Sequence, residues 1–158
     1  MSTYSIKDIS ASVDRHKIFL LACKPEEQSS CVSFLLSNHI PTVNVGKELA
    51  TYIDGLKDYR YLPIDTFDFI KKLLDSKKSK ITPTGNEIIA VYNLGILLEP
   101  TLEINAEALI KEFSKSAAIL IIHENEIEQP NILNWNSQKN DYSLNFSDTS
   151  LKKIQYEI

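Results

Sequence analysis

The eight residues from Ala22 to Ser29 connect a strongly apolar segment to an amphipathic one, which is the position that a phosphate-binding loop occupies. They read Ala-Cys-Lys-Pro-Glu-Glu-Gln-Ser. Compared with the pattern G-x-x-x-x-G-K-[ST], this loop keeps the length and the final serine, and it lacks both glycines and the lysine. Most of the groups that bind phosphate in that pattern are therefore missing.

Each replacement has a physical consequence. Glu27 stands where a glycine would let the backbone wrap a phosphate, and it adds a Cβ and a negative charge. Gln28 replaces the lysine that would neutralise phosphate charge, and Pro25 removes a backbone donor. The sequence therefore predicts that neither ATP nor Mg²⁺ is a cofactor. Lys24 and Ser29 leave one alternative open, a regulator that binds nucleotide without hydrolysing it.

The metal-binding half of such a site is also missing from the sequence. A P-loop enzyme ends a later buried strand in an acidic residue that holds Mg²⁺, whereas the corresponding apolar run here ends in Tyr92-Asn93. The histidines His16, His39 and His123 do not have the spacing of metal ligands. No G-x-S-x-G motif is present. We therefore expect a protein that is not an enzyme and has no metal site.

Three groups of residues are candidates for contacts with partners. Glu124 and Glu126 form an acidic stretch after an apolar run. This stretch is either an acidic surface or, together with His123, an acid/base or metal site. Trp135 lies in an Asn-rich segment, where it either anchors an interface or packs a loop onto the body. Lys71 and Lys72 begin a lysine cluster that is either a solvated helix face or a docking patch for a partner or nucleic acid.

The elements that position these residues follow an alternating pattern. Three apolar runs without alternation, residues 17–22, 87–92 and 117–122, predict buried strands, and helical periodicity appears between them. This order predicts an α/β fold with a mainly parallel sheet and crossover helices, P-loop NTPase-like with a RecA- or AAA-like core. Residues 142–146 and 151–156 alternate like half-exposed strands and predict a C-terminal edge hairpin.

Composition places limits on the class of protein. A chain of 158 residues with 43% hydrophobic and 24% charged residues predicts one domain over 1–158, with poor order as an expectation for the polar residues 1–14. The net charge of −4 argues against a dedicated nucleic-acid-binding surface. The apolar runs are too short to cross a membrane, so we expect a cytoplasmic protein. Cys23 and Cys31 are interpreted as two buried free thiols.

The order and spacing of these segments resemble the BrxF family, small P-loop proteins of type 3 BREX phage-resistance loci. The resemblance runs from about Lys17 to Tyr156 and rests on four segments. These are Ile18–Ser29, Pro41–Val45 leading into Glu48-Leu49, Ile89–Asn93 with Leu94–Leu98, and Ala118–Ile122.

The resemblance implies a bacterial setting of phage defence or DNA modification, in which a small subunit works with larger motor, methyltransferase or nuclease proteins. Family members usually have an intact Gly-rich loop with lysine and an aspartate before the asparagine. This chain keeps only Ser29 and Asn93 at those positions. We therefore expect a pseudo-NTPase scaffold or adaptor subunit, with a nucleotide-binding regulator or a nucleic-acid-binding accessory subunit as alternatives.

Overall fold

A computed structural model describes residues 3–124, 131–136, 141–149 and 151–154 of the chain. Most of these residues belong to short strands and helices that alternate along the sequence. The strands in this part of the chain are β1 (Thr3–Tyr4), β2 (Ile18–Ala22), β3 (Thr42–Asn44), β4 (Ser79–Lys80), β5 (Glu87–Tyr92), β6 (Ala118–His123), β7 (Ile132–Asn136), β8 (Asp141–Asn145) and β9 (Leu151–Ile154). The α-helices are α1 (Ile6–Ala11), α2 (Gln28–Ser37), α3 (Val45–Asp54), α4 (Leu62–Lys77) and α5 (Ala106–Ser116).

The larger sheet has the order β1-β9-β2-β6-β5-β3, and every neighbouring pair along this path is parallel. The short strand β4 adds to β5 in the antiparallel direction. The predicted α/β class with a mainly parallel sheet is therefore confirmed. Because parallel strands end at the same edge, the residues that follow β2, β5 and β6 come together there.

Apolar side chains on both faces explain why the central strands are buried. Along β2 and β6, alternate residues contribute to two different cores. One core includes side chains of α3, α4 and α5, and the other includes side chains of α1 and α2. Strands covered on both faces need apolar residues throughout, which is why these segments show no alternation.

The predicted C-terminal edge hairpin is wrong. The first of its two strands, β8, pairs antiparallel with β7 in a separate two-stranded sheet. The second, β9, lies inside the main sheet, where it is parallel to both β1 and β2. Residues 132–136, interpreted from the sequence as part of an Asn-rich loop, form strand β7. The two half-exposed segments thus have different partners, and neither pairs with the other.

Residues 3–11 contain regular structure, whereas we expected poor order for residues 1–14. Strand β1 forms one edge of the sheet, and α1 packs Ile9 into the core. Ser5 and Asp8 form a capping box at the start of α1, in which Asp8 Oδ2 accepts a hydrogen bond from Ser5 N at 2.7 Å. Such a box satisfies two backbone donors that the first turn of a helix leaves free.

Candidate functional site

The loop after β2 does not have the form of a phosphate cradle. Residues Pro25–Glu27 form a single 3₁₀ turn before α2, and Glu27 N donates to Lys24 O at 2.9 Å. A phosphate-binding loop points its backbone N–H groups at the ligand, whereas this N–H is used inside the turn. The side chains of Lys24 and Ser29 are exposed, and those of Glu27 and Gln28 are partly buried.

A side-chain hydrogen bond joins this loop to the end of β6. Gln28, at the position of the missing lysine, donates from its Nε2 to Glu124 Oε1. The backbone joins the same two segments, because Cys23 N donates to His123 O at 3.0 Å. The carboxylate of Glu124 therefore lies directly beside the start of α2. It is bonded there to Gln28, the residue that replaces the lysine.

The two cysteines beside this loop are free and buried, as predicted. Burial raises the pKa of the Cys23 thiol to about 12, and its hydrogen bond with Cys31 and the nearby charges of Glu124 and Glu27 act in the same direction. The reactive form of cysteine is the thiolate, which is negligible at neutral pH for such a group. Cys23 is therefore a packing residue and not a nucleophile.

His123 lies at the carboxyl end of β6 and is only 1% exposed. Within the described residues neither ring nitrogen has a hydrogen-bond partner, and the ring packs edge-on against Trp135 with 4.7 Å between centroids. Burial lowers its pKa to about 4, so the imidazole is neutral at physiological pH. The structure thus places this histidine in an apolar contact, and the acidic neighbour Glu124 bonds to Gln28 instead.

Trp135 covers the carboxyl ends of two strands. It belongs to β7 and is partly buried against the larger core. Its ring packs against His123, and a Cβ added to Gly95 would lie 3.3 Å from Trp135 Cδ1. Glycine at position 95 therefore leaves room for the indole ring. These contacts place Trp135 as a packing residue that holds β7 on the segment after β5.

A pair of neutral amides lies beside the end of β5, where Tyr92 stands in place of the acidic residue that holds Mg²⁺ in P-loop enzymes. Asn93 follows β5 in the left-handed conformation, with φ 57°, and its Nδ2 donates to Asn44 Oδ1 at 3.0 Å. The same oxygen caps α3 by accepting from Lys47 N at 3.0 Å. Asparagine tolerates this conformation better than most residues. The pair joins the ends of β3 and β5 without placing a carboxylate there.

The remaining predicted residues lie elsewhere in the structure. Lys71 and Lys72 are exposed on α4, in the helical layer formed by α3, α4 and α5. Glu126 lies outside the described residues. His16 contacts α5 through its Nδ1, 3.2 Å from Lys111 O, and His39 ends α2 with a positive φ of 64°. The structure therefore brings Gln28, Glu124 and Trp135 to one edge and leaves the lysines on a helix.

A second surface was missed by the sequence analysis. Four large apolar side chains before and along the first turns of α4 are exposed, namely Tyr59 at 54%, Tyr61 at 61%, Ile64 at 63% and Phe67 at 37%. Phe67 also lines a groove of about 220 Å³ between α4 and α5. Its lining includes Phe67, Lys71, Leu74, Asp75, Leu109, Glu112 and Phe113. The spacing of Ile64, Phe67 and Lys71 on one helical face was the available signal.

No protein-family model, curated protein or solved structure matches this chain. Among the residues that the structure describes, no three His, Cys, Asp or Glu side chains are grouped so that they could hold a metal ion. A search of the same residues finds no helix with the length and apolar character needed to span a membrane.

Proposed function

We propose that this chain is a non-catalytic, P-loop NTPase-like scaffold or adaptor subunit of a bacterial anti-phage or DNA-modification complex. The hydrogen bond between Gln28 and Glu124 is the observation that carries the proposal. It puts an amide where a lysine would neutralise phosphate, and it holds a carboxylate beside the start of the helix that would bind the phosphate. Both features oppose the binding of a polyanion.

The order of the strands supports the P-loop part of the proposal. Numbered along the chain, five of the six parallel strands, β2, β3, β5, β6 and β9, lie in the order 5-1-4-3-2. This is the order of RecA-like and AAA-like cores, in which the first strand leads into the phosphate-binding loop. Here the same connection leads into the turn of Pro25–Glu27. In this proposal the chain keeps the architecture of a nucleotide-binding domain and lacks the residues that bind the nucleotide.

The residues at the carboxyl edge support the non-catalytic part of the proposal. Tyr92 ends β5 in place of the carboxylate that would hold Mg²⁺, and the next residue, Asn93, bonds to Asn44. Trp135 lies across the segment after β5 and the end of β6. The groups at this edge bind each other, which suits a structural role better than binding and release of nucleotide.

The cellular setting of the proposal comes from the resemblance to the BrxF family. In such a setting a small subunit would join larger motor, methyltransferase or nuclease proteins. The chain would contribute surfaces that bind these proteins and would not contribute catalytic residues. Fold alone does not define function, so this part depends on detecting the partners directly.

The first test is a calorimetric titration of the full-length protein with ATP and Mg²⁺, at protein concentrations that detect millimolar affinity. We expect no saturable heat with ATP. Saturable binding that is lost in Lys24→Ala, with the melting temperature unchanged, would instead identify a nucleotide-binding regulator. A matched control is Lys57→Ala, an exposed lysine on the loop after α3.

The second test concerns the scaffold itself. The chain is co-expressed with the proteins encoded beside it and purified by a tag on the chain alone. A stoichiometric complex that elutes together in size-exclusion chromatography, with or without ATP, is the expected result. If every neighbour elutes separately, the adaptor role fails, even where the absence of nucleotide binding holds.

A further inference from the structure

The outer side of α4 is a continuous surface without a partner inside the described chain. Tyr61, Ile64 and Phe67 present apolar area at its amino-terminal end, and Lys71 follows one turn after Phe67. Side chains three or four positions apart lie on one face of a helix, so these residues form a stripe. The stripe runs into the groove between α4 and α5, whose floor includes Leu74, Leu109 and Phe113. We call this stripe and groove the α4 surface.

Charges of both signs surround the α4 surface, because α4 itself carries Asp65 and Asp68 as well as its lysines. The two carboxylates that line the groove already have partners, because Asp75 pairs with Lys78 at 3.4 Å and Glu112 pairs with Lys115 at 3.0 Å. The lysines on and after the same helix differ. Within the described residues, no ion pair involves the exposed side chains of Lys71, Lys72, Lys77 and Lys80.

We propose that the α4 surface docks an amphipathic helix of a partner protein, with apolar side chains in the groove and acidic side chains beside the unpaired lysines. A groove between two helices accepts a third helix through residues spaced at i, i+3, i+4 and i+7. Exposed aromatic side chains such as Tyr61 and Phe67 are typical anchors of protein interfaces. The inference adds a docking surface and the chemistry of its occupant to the proposed scaffold role.

A protein helix fits this surface better than a nucleic acid does. A nucleic-acid strand carries a charge at every phosphate, so it would bring charge against Asp75 and Glu112 as well as against Lys71. A helix can place its carboxylates only where the lysines lie. Ile64 adds exposed aliphatic area that packs against apolar side chains of a helix.

The test is a fluorescence-anisotropy titration of the full chain with a labelled model peptide of 18 residues. The peptide is an amphipathic helix with leucines at i, i+3, i+4 and i+7 and glutamates along its flanks. Two further peptides serve for comparison, one with lysines in place of the glutamates and one with the acidic sequence scrambled. We expect the acidic helix to bind at least tenfold more tightly than either, and to weaken as salt rises from 50 to 300 mM.

Variants locate the binding site. Ile64→Ser and Lys71→Glu are each expected to weaken binding of the acidic helix at least fivefold, without a change in circular dichroism, because both side chains are exposed. The matched controls are Leu36→Ser, an apolar residue 54% exposed on α2, and Lys7→Glu on α1, both in the opposite helical layer. They are expected to bind like the unchanged protein.

Three outcomes would overturn the inference: equal binding of the scrambled peptide, equal weakening by the control variants, or tighter binding of a labelled single-stranded oligonucleotide than of the acidic helix. The proposed function can fail separately. ATP binding would be detected at the carboxyl edge of the sheet, and this result would leave the peptide titration on the α4 surface unchanged.

Discussion

At the scale of single residues, His123 is the group whose protonation should have the clearest effect on stability. Burial lowers its pKa from the ordinary 6.5 to about 4, and neither nitrogen has a partner among the described residues. As the pH falls, the unfolded chain therefore takes up this proton before the folded protein does. The stabilisation by neutral His123 is complete above about pH 6.5 and is lost as the pH falls toward 4.

We expect the free energy of unfolding to fall by about 1–2 kcal/mol more between pH 7 and pH 5 in the unchanged protein than in His123→Phe. Phenylalanine keeps a ring against Trp135 and cannot titrate. Urea unfolding followed by circular dichroism at the two pH values measures the difference. Identical pH dependence of the two proteins would mean that His123 titrates normally in the folded state.

Gln28 offers a second prediction at this scale, because restoring one lysine should not restore nucleotide binding. In Gln28→Lys the new ammonium would lie beside the Glu124 carboxylate, which already contacts residue 28. We expect the two to pair and to stabilise the protein by up to about 1 kcal/mol, as partly exposed ion pairs do. Thermal unfolding measures this gain, and calorimetry with ATP and Mg²⁺ should remain without saturable heat.

The double variant Gln28→Lys with Glu124→Gln is the informative comparison, since it keeps the cation and removes the competing carboxylate. Glycines are still absent from the loop, and Glu27 N remains bonded to Lys24 O. Binding of ATP is expected to stay weaker than millimolar there too. Tight binding by either variant would show that the backbone of this loop can cradle phosphate after all.

At the scale of elements, the β7–β8 hairpin is attached to the sheet through its aromatic and aliphatic side chains. Leu133 and Leu144 are almost fully buried, and Trp135 packs between Gly95 and His123. The hairpin belongs to a separate two-stranded sheet, so these contacts take the place of backbone pairing with the main sheet. Removing the indole ring should therefore loosen the hairpin from the body.

Trp135→Ala is expected to destabilise the protein by about 2–4 kcal/mol, because it removes a large packed side chain and leaves space beside Gly95. Trp135→Phe, which keeps a ring at the contact, should lose less than half as much. Thermal unfolding by circular dichroism compares the two. Should Trp135→Ala leave stability intact and disrupt only a complex with a partner, Trp135 would be an interface anchor and not a packing residue.

At the scale of the whole molecule, local patterns in the sequence predicted elements better than they predicted pairing. Unalternating apolar runs identified β2, β5 and β6, and helical periodicity between them predicted the helical segments. Each of these signals comes from one segment and its own burial. The neighbours of β9 depend on crossovers from distant parts of the chain, which no local period records.

The same reason explains what was predicted about the candidate site and what was not. The loss of phosphate-binding residues at Glu27 and Gln28 was readable position by position. The bond from Gln28 to Glu124 joins residues 96 apart in the chain, and the contact of Trp135 with Gly95 is also long-range. Parallel pairing of β2 with β6 creates the first of these contacts, so it appears only with the fold.

The alternation in residues 151–154 illustrates how a local pattern can mislead. Half-exposed alternation is typical of an edge strand, yet β9 lies between β1 and β2. Lys152 is accommodated there because its Nζ bonds to Asp14 Oδ2 and lies 5.1 Å from the centre of the Tyr4 ring. Asp14 has its pKa lowered chiefly by this bond. A charged side chain in an inner strand is thus tolerated through a partner from the amino-terminal segment.

Because β9 is an inner strand and β1 is an edge strand, we expect deletion of β9 to be more damaging than deletion of β1. A chain that ends at residue 149 should fail to fold, because β2 would lose one of its two parallel neighbours and the buried Ile154 would be missing from the core. Deletion of residues 1–4, whose described residues form the edge strand β1, should leave a folded protein of lower stability.

Expression as soluble protein, followed by thermal unfolding monitored by circular dichroism, distinguishes the two deletions. We expect a cooperative transition for the amino-terminal deletion and none for the carboxyl-terminal one, since exposing the apolar β2 at a sheet edge also invites aggregation. If the carboxyl-terminal residues instead formed a dispensable edge hairpin, the carboxyl-terminal deletion would be the one that unfolds cooperatively. Cooperative unfolding of the chain that ends at residue 149, at nearly the temperature of the full chain, would remove β9 from the interior of the sheet and with it the strand order on which the P-loop-like proposal depends.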